Sequence, residues 1–214
     1  GLSYSNSGLI IATPQSDKYD KQTTYYDLAQ VDKTSSENFG LPVILSKELN
    51  GPYYEGTPYL FDNGNKILFS SNSADLKKYK PKKIESLAIS GDGRNILKIY
   101  QAEKIDGEWQ SAKELNFNGK TFNCVFPNLT EDGNILYFAS DMEGGFGGYD
   151  LWKVNKINDS TWSSPINLGP NVNTFEDETY PYVSKNRLYF SSKGHPGFGG
   201  FDIFVSSVND EGFS

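Results

Sequence analysis

Apolar positions along this chain fall in short runs separated by turn-forming clusters, and long aliphatic helical stretches are missing. The runs come in a recurring order. One type carries a proline preceded by polar or acidic residues: EGTPYLF around Pro58, NCVFPNL around Pro127 and ETYPYVS around Pro181. The next is a strand such as LYFSS, entered through the turns DNGN (Asp62 to Asn65) or EDGN (Glu131 to Asn134), whose Asn-Gly and Asp-Gly steps suit tight hairpins. A third piece reads YDLW or FDIF, and a fourth surrounds Trp109 or Trp162. Four short antiparallel strands per unit are predicted.

The units repeat. NILYFASDMEGGFGGYDLWKV, from Asn134 to Val154, returns 52 residues later as NRLYFSSKGHPGFGGFDIFVS. Phe138 thereby matches Phe190, and Asp150 matches Asp202. NKILFSSN from Asn65 is an earlier copy, and LIIAT from Leu9 with YYDLAQV from Tyr25 is a degraded first one. GEWQSAKEL and STWSSPINL place Trp109 and Trp162 53 residues apart, with Phe39 and Pro42 in the same place in the first unit. A period of roughly 50 residues with four strands is that of a propeller blade, a unit that closes its core only by stacking on its neighbours. The expected fold is an all-β propeller forming a single domain over 1–214, with units at about 1–50, 51–118, 119–172 and 173–214. Aligning Leu9 with Leu136 places Leu2 on Leu129, inside the first strand of a blade. The last unit stops before any WSSPINL-like element. The units are therefore expected to be part of a larger propeller.

Composition narrows the chemistry. Tyr and Phe number 14 each and Gly 21, as suits many strands and turns. The net charge of −7 argues against a nucleic-acid partner, which requires a basic face. A single cysteine, Cys124, and a single histidine, His195, exclude an intramolecular disulfide framework and a Cys/His metal site. No apolar run reaches the roughly 18 residues of a membrane span, so no direct membrane crossing is expected.

The succession of proline, DGN-LYFSS, a Gly-Gly-aromatic-Asp step and W-x-x-P-x-x-L resembles the TolB-related, WD-like propeller repeats. GGFGGYDLW, followed by NLGPNVNT after Leu168, is especially similar to the versions in OmpA-type outer-membrane-associated proteins of Bacteroidota, some of them in type IX secretion and gliding machinery. The resemblance covers nearly the whole chain and is strongest from about Asn123 onward. It implies a periplasmic, outer-membrane-associated module whose partners are other envelope proteins or further domains of the same polypeptide. The second unit departs from the pattern: an insertion from Ser73 to Arg94 replaces the Gly-Gly-aromatic-Asp step, and Lys98 stands roughly where Asp150 does. In the first unit only Tyr26 and Asp27 of the step remain.

Candidate chemistry centres on the glycine-rich loops. Gly144, Gly145, Gly147 and Gly148 lie close to Asp141, Glu143 and Asp150, a set of oxygen donors that reads as a calcium site. The same residues read as a wide hairpin in which the glycines, Gly148 among them, supply positive φ and the aspartate braces the turn. The fourth unit favours the turn, because Lys193, Gly194 and His195 replace Asp141, Met142 and Glu143 and two of three carboxylates are lost. No metal and no cofactor are expected. His195 lies near Ser191, Ser192 and Asp202, but the corresponding serines Ser70, Ser71 and Ser140 have no histidine, so an exposed loop residue is expected rather than a triad. Cys124 reads as a buried, inert thiol, and Trp109 and Trp162 as core. Lys77, Lys78, Lys80, Lys82 and Lys83 fall in the insertion, where repeat proteins place partner contacts. A non-catalytic scaffold is the expected function. A propeller glycosidase, or a propeller binding calcium or peptidoglycan fragments, is the alternative, since fold alone does not assign activity.

Overall fold

The computed structural model describes residues 2–4, 8–16, 24–36, 38–51, 54–72, 95–209 and 212–213. The insertion with its five lysines lies outside the described residues. The fold is all-β and of the β-propeller kind, as the sequence predicts, and among the described residues there is no α-helix. No helix there is long and apolar enough to cross a membrane. The chain divides into two compact units, Gly1–Glu114 and Leu115–Ser214. Each holds two blades built as antiparallel meanders.

In the first unit, blade I comprises β1 (Leu2–Tyr4), β2 (Gly8–Ser16), β3 (Thr24–Asp32) and β4 (Val43–Ile44). Blade II comprises β5 (Glu55–Phe61), β6 (Lys66–Ser71), β7 (Lys98–Ile105), β8 (Glu108–Trp109) and β9 (Lys113–Glu114). Ile10 and Leu28 of blade I pack with Ile67, Phe69, Tyr100, Ala102 and Trp109 of blade II in one buried cluster. The β7–β8 turn is Asp106-Gly107, both at positive φ (52° and 83°), the geometry whose twist matches the flanking strands.

In the second unit, blade III comprises β10 (Cys124–Leu129), β11 (Ile135–Ser140), β12 (Asp150–Asn158), β13 (Thr161–Trp162) and β14 (Ile166–Asn167). Blade IV comprises β15 (Glu178–Ser184), β16 (Arg187–Ser192), β17 (Asp202–Asn209) and β18 (Gly212–Phe213). The last strand was not expected. Phe213 pairs with Val208 as Trp162 pairs with Lys156, so DEGF is the blade IV version of GEW and STW with phenylalanine for tryptophan. Phe39 bridges to Lys33 in the same way, which bears out its assignment as the blade I counterpart. The pairing also places Tyr4, rather than Leu2, opposite Leu9 as Leu129 lies opposite Leu136.

The prolines mark a repeated bulge. Strands β5, β10 and β15 each shift register across Pro58, Pro127 or Pro181. The residue before each proline, Thr57, Phe126 or Tyr180, has φ between 51° and 58°. Proline is tolerated because these strands pair on one side only, and the bulge turns the preceding side chain out of the ladder.

Candidate functional site: the glycine-rich loop edge of blades III and IV

Asp150 heads β12 and is fully buried. Its carboxylate accepts hydrogen bonds from Phe146 N (2.7 Å), Gly147 N (3.1 Å) and Asn167 Nδ2 (2.7 Å). Asp202 repeats the device in blade IV, accepting from Phe198 N (2.6 Å) and Gly199 N (3.3 Å). A side chain on Gly145 would start 2.7 Å from Asp150 Oδ2, and one on Gly197 would strike Asp202, so glycine is needed where the carboxylate folds back on its loop.

Gly147 and Gly148 serve a different purpose from the one expected. Gly144 has φ 93°, but Gly147 and Gly148 are outside the left-handed region. A Cβ on Gly147 would fall within 2.5 Å of Phe175 C and 2.6 Å of Thr174 O, and one on Gly148 would strike Asp177. Close approach of a second backbone at Gly147, and of the Asp177 carboxylate at Gly148, rather than backbone freedom, excludes a side chain there. The loop is stitched to the segment entering blade IV by Gly148 N to Glu176 O (3.0 Å), Tyr149 N to Asp177 Oδ1 (3.0 Å) and Glu178 N to Tyr149 O (2.6 Å).

That segment carries residues the sequence reading missed. Asn173 accepts from Leu151 N (2.7 Å) and donates to Leu151 O (2.9 Å), 22 residues apart. Asn50 does the same to Leu28, also 22 residues apart. Buried Glu178 accepts from Thr174 N, Thr174 Oγ1 and Ser192 Oγ, and Glu55 accepts from Ser71 Oγ at the matching position of blade II. Cys124 occupies that position in blade III, buried, with Sγ 3.9 Å from Ser140 Oγ. The signals were present as the asparagine ending KELN and NVN and as the glutamate opening EGTP and ETYP.

The candidate metal ligands are dispersed in role. Asp141 accepts from Asn123 N and Nδ2, Asp150 holds its own loop, and Glu143 is exposed. Among the described residues no three His, Cys, Asp or Glu side chains come together as a cage. His195 is half-buried rather than exposed: its Nε2 lies 2.9 Å from Val172 O and its ring packs near Phe204. Ser192 Oγ donates to Glu178, so no Ser-His couple forms. At the rim, the hydrogen bond from Lys193 holds the Asp177 carboxyl below its ordinary range, with Tyr149 N adding to it, while Asp177 raises the Lys193 ammonium. Phe146, Phe175, Phe198 and Phe201 stay exposed, with Lys193 lying 4.7 Å over the Phe201 ring. The buried carboxylates of Asp150 and Glu178 are committed to backbone and side-chain donors of their own loops and strands, and the surface offered outward is aromatic.

No protein-family model matches the chain, and no curated protein matches it. Its fold is that of several solved propellers. TolB from Acinetobacter baumannii aligns at 13% identity and TM-score 0.53 over 98% of this chain, which spans 41% of that one. A thermostable family-43 glycoside hydrolase aligns at 11% identity and TM-score 0.60, covering 99% of this chain and 72% of the hydrolase. An α-L-arabinofuranosidase from Clostridium thermocellum aligns at 12% identity and TM-score 0.54, covering 100% of this chain and 70% of the enzyme. At these identities the likeness concerns the fold: a β-propeller architecture shared with TolB and with glycoside hydrolases alike.

Proposed function

We propose that this chain is a non-catalytic propeller module that docks another protein in the periplasm of a bacterium, in an outer-membrane-associated assembly of the OmpA or type IX secretion kind. The observation that carries this reading is the loop edge. Its buried carboxylates Asp150 and Glu178 are saturated by loop and strand donors, whereas four phenylalanines stand in solvent beside them. Exposed aromatic clusters rimmed by polar groups are the usual anchors of protein contacts. A glycosidase instead needs a pair of carboxylates free to donate and receive protons, held roughly 5–10 Å apart. The resemblance of the repeats to envelope propellers supports the compartment, and the lysine-bearing insertion (Lys77, Lys78, Lys80, Lys82, Lys83) supplies a second contact region.

The test is capture of envelope proteins by the whole chain, compared with Phe175→Ser/Phe198→Ser, alongside hydrolysis of aryl arabinofuranosides and of peptidoglycan fragments. A specific envelope protein retained by the native chain and lost by the double variant is expected, with no turnover. Turnover abolished by a single carboxylate-to-amide change would replace this reading with the enzyme.

A further inference from the structure

Asparagine followed by glycine is the dipeptide in which a side-chain amide is most easily lost, because glycine has no Cβ to keep its own nitrogen from closing on the asparagine Cγ. The chain holds three such steps: Asn50-Gly51, Asn63-Gly64 and Asn118-Gly119. As dipeptides they are equivalent, and the fold makes them different.

Two of them are clamped. Asn50 is 8% exposed, and its amide donates to Leu28 O (3.0 Å) and Leu45 O (3.3 Å) while accepting from Leu28 N (2.7 Å). Asn118 Nδ2 donates to Leu115 O (3.0 Å), and the Phe122 ring lies so close over Gly119 that a Cβ there would fall 2.2 Å from it. Closing a ring at either step would break these bonds or displace the covering groups, which packed structure permits only by opening locally.

Asn63 is the opposite case. It stands exposed in the turn between β5 and β6, nothing among the described residues bonds its amide, and nothing lies within 4 Å of where Gly64 would carry a Cβ. Asp62, Asn63 and Gly64 all have positive φ (52°, 52° and 82°), a conformation that glycine alone adopts without strain. The corresponding turn of blade III has only Gly133 there. Swinging Gly64 N toward Asn63 Cγ therefore disturbs a strained, solvated turn and no packed contact.

We propose that Asn63 is a site of spontaneous modification in the folded chain, converted to aspartate and isoaspartate through a succinimide, while the fold keeps Asn50 and Asn118 intact. Gly64 N gives up its proton to solvent and bonds to Asn63 Cγ; the Cγ–Nδ2 bond breaks, and ammonia leaves with a proton taken from solvent. Water then opens the ring. Cleavage of the newly made bond gives aspartate, and cleavage of the bond from the Asn63 main-chain carbonyl to Gly64 N gives isoaspartate, with the chain running through the former side chain. Nothing is oxidised or reduced, and water is the only co-reactant. Either product takes the formal charge of −7 one unit further negative. Isoaspartate also adds a methylene to the turn that sets the pairing of Leu60 with Ile67. Ile67 belongs to the buried cluster of blades I and II and Leu60 packs against it, so the lesion reaches that core.

The experiment ages the whole chain in mildly alkaline buffer, with and without urea, and follows the loss of each amide by mass spectrometry of its peptides. In the folded chain Asn63 is expected to react at least about tenfold faster than Asn50 or Asn118, and in urea the three rates should draw together. The isoaspartate form, separated by anion exchange, should melt below the native chain, whereas Asn63→Asp, which adds the charge without the methylene, should melt close to it. A folded-chain rate at Asn63 no greater than at the other two overturns the proposal. So does a ranking that urea leaves unchanged, which would mean that neighbouring residues in sequence, and not the fold, set the rates.

Discussion

In blade III the residue opposite Ser140 is Asp150; in blade II the residue opposite Ser71 is Lys98. The two stand at the same point of the repeat with opposite charge. Across the next strand, Asn167 Nδ2 donates to Asp150, whereas Lys98 Nζ donates to Glu114 (2.8 Å). In these two blades the third and outer strands share a polar pair at this point, carboxylate with amide in blade III and ammonium with carboxylate in blade II. Their loops differ. A lysine cannot accept the N–H groups that Phe146 and Gly147 direct at Asp150, and the Gly-Gly-Phe-Gly-Gly sequence is absent from blade II. Blade I is a third case, with Asp27 facing a position held by Ile44, and there burial pushes the carboxyl above its ordinary value.

The largest difference expected follows directly. Asp150→Ala removes a buried acceptor from two loop N–H groups and the Asn167 amide and should cost about 3 kcal/mol in urea unfolding. Lys98→Ala removes a pair whose side chains are 15% and 41% exposed and should cost no more than about 1 kcal/mol. Equal losses would mean that the loop bonds contribute nothing beyond the strand pair.

An intermediate effect is expected from exchanging one arrangement for the other. Lys98→Asp alone sets a carboxylate against Glu114 and should destabilise by about 1–2 kcal/mol, with Glu114→Asn in the same chain recovering most of it. Additive losses in the double-mutant cycle would show that the two positions do not sense each other.

The smallest effect belongs to blade I. Because the folded state raises the Asp27 pKa, the native chain binds this proton more tightly than the unfolded one does. Its contribution is therefore neutral below the ordinary value of 3.8 and becomes unfavourable as pH rises through the raised value. Asp27→Asn should thus be the more stable form at pH 7, by less than about 1 kcal/mol since the group is partly solvated, and the two should converge in acid. A variant less stable than the native chain at neutral pH would reveal a favourable partner for the carboxylate.

Much of this was legible in the residues, and for a physical reason. Strand period, turn pairs and the proline bulge are local, so four copies of one pattern declare the blade regardless of what surrounds it. The Asp-braced loop was legible too, since Asp150 and Asp202 recur with their glycines. The fourth strand of blade IV was missed because Phe213 replaces the tryptophan that marked its siblings, and β18 is two residues long. Asn173 and Glu178 escaped notice because their partners, Leu151 and Ser192, lie 22 and 14 residues away, a distance at which one side chain gives no sign of which backbone it will hold.

By itself, then, the chain's alternation and repetition determined the class of fold, the four repeated units and the place of most strands, because these depend on contacts between neighbours in sequence. Tertiary structure decided the surroundings of the glycines, the histidine and the aliphatic residues of the blade faces. Gly147 is a glycine because another backbone passes within van der Waals distance, and His195 is half-buried because Val172 O reaches it. Leu151 is buried and Ile203 exposed although both are aliphatic residues at one repeat position, because only the first has a blade stacked upon it.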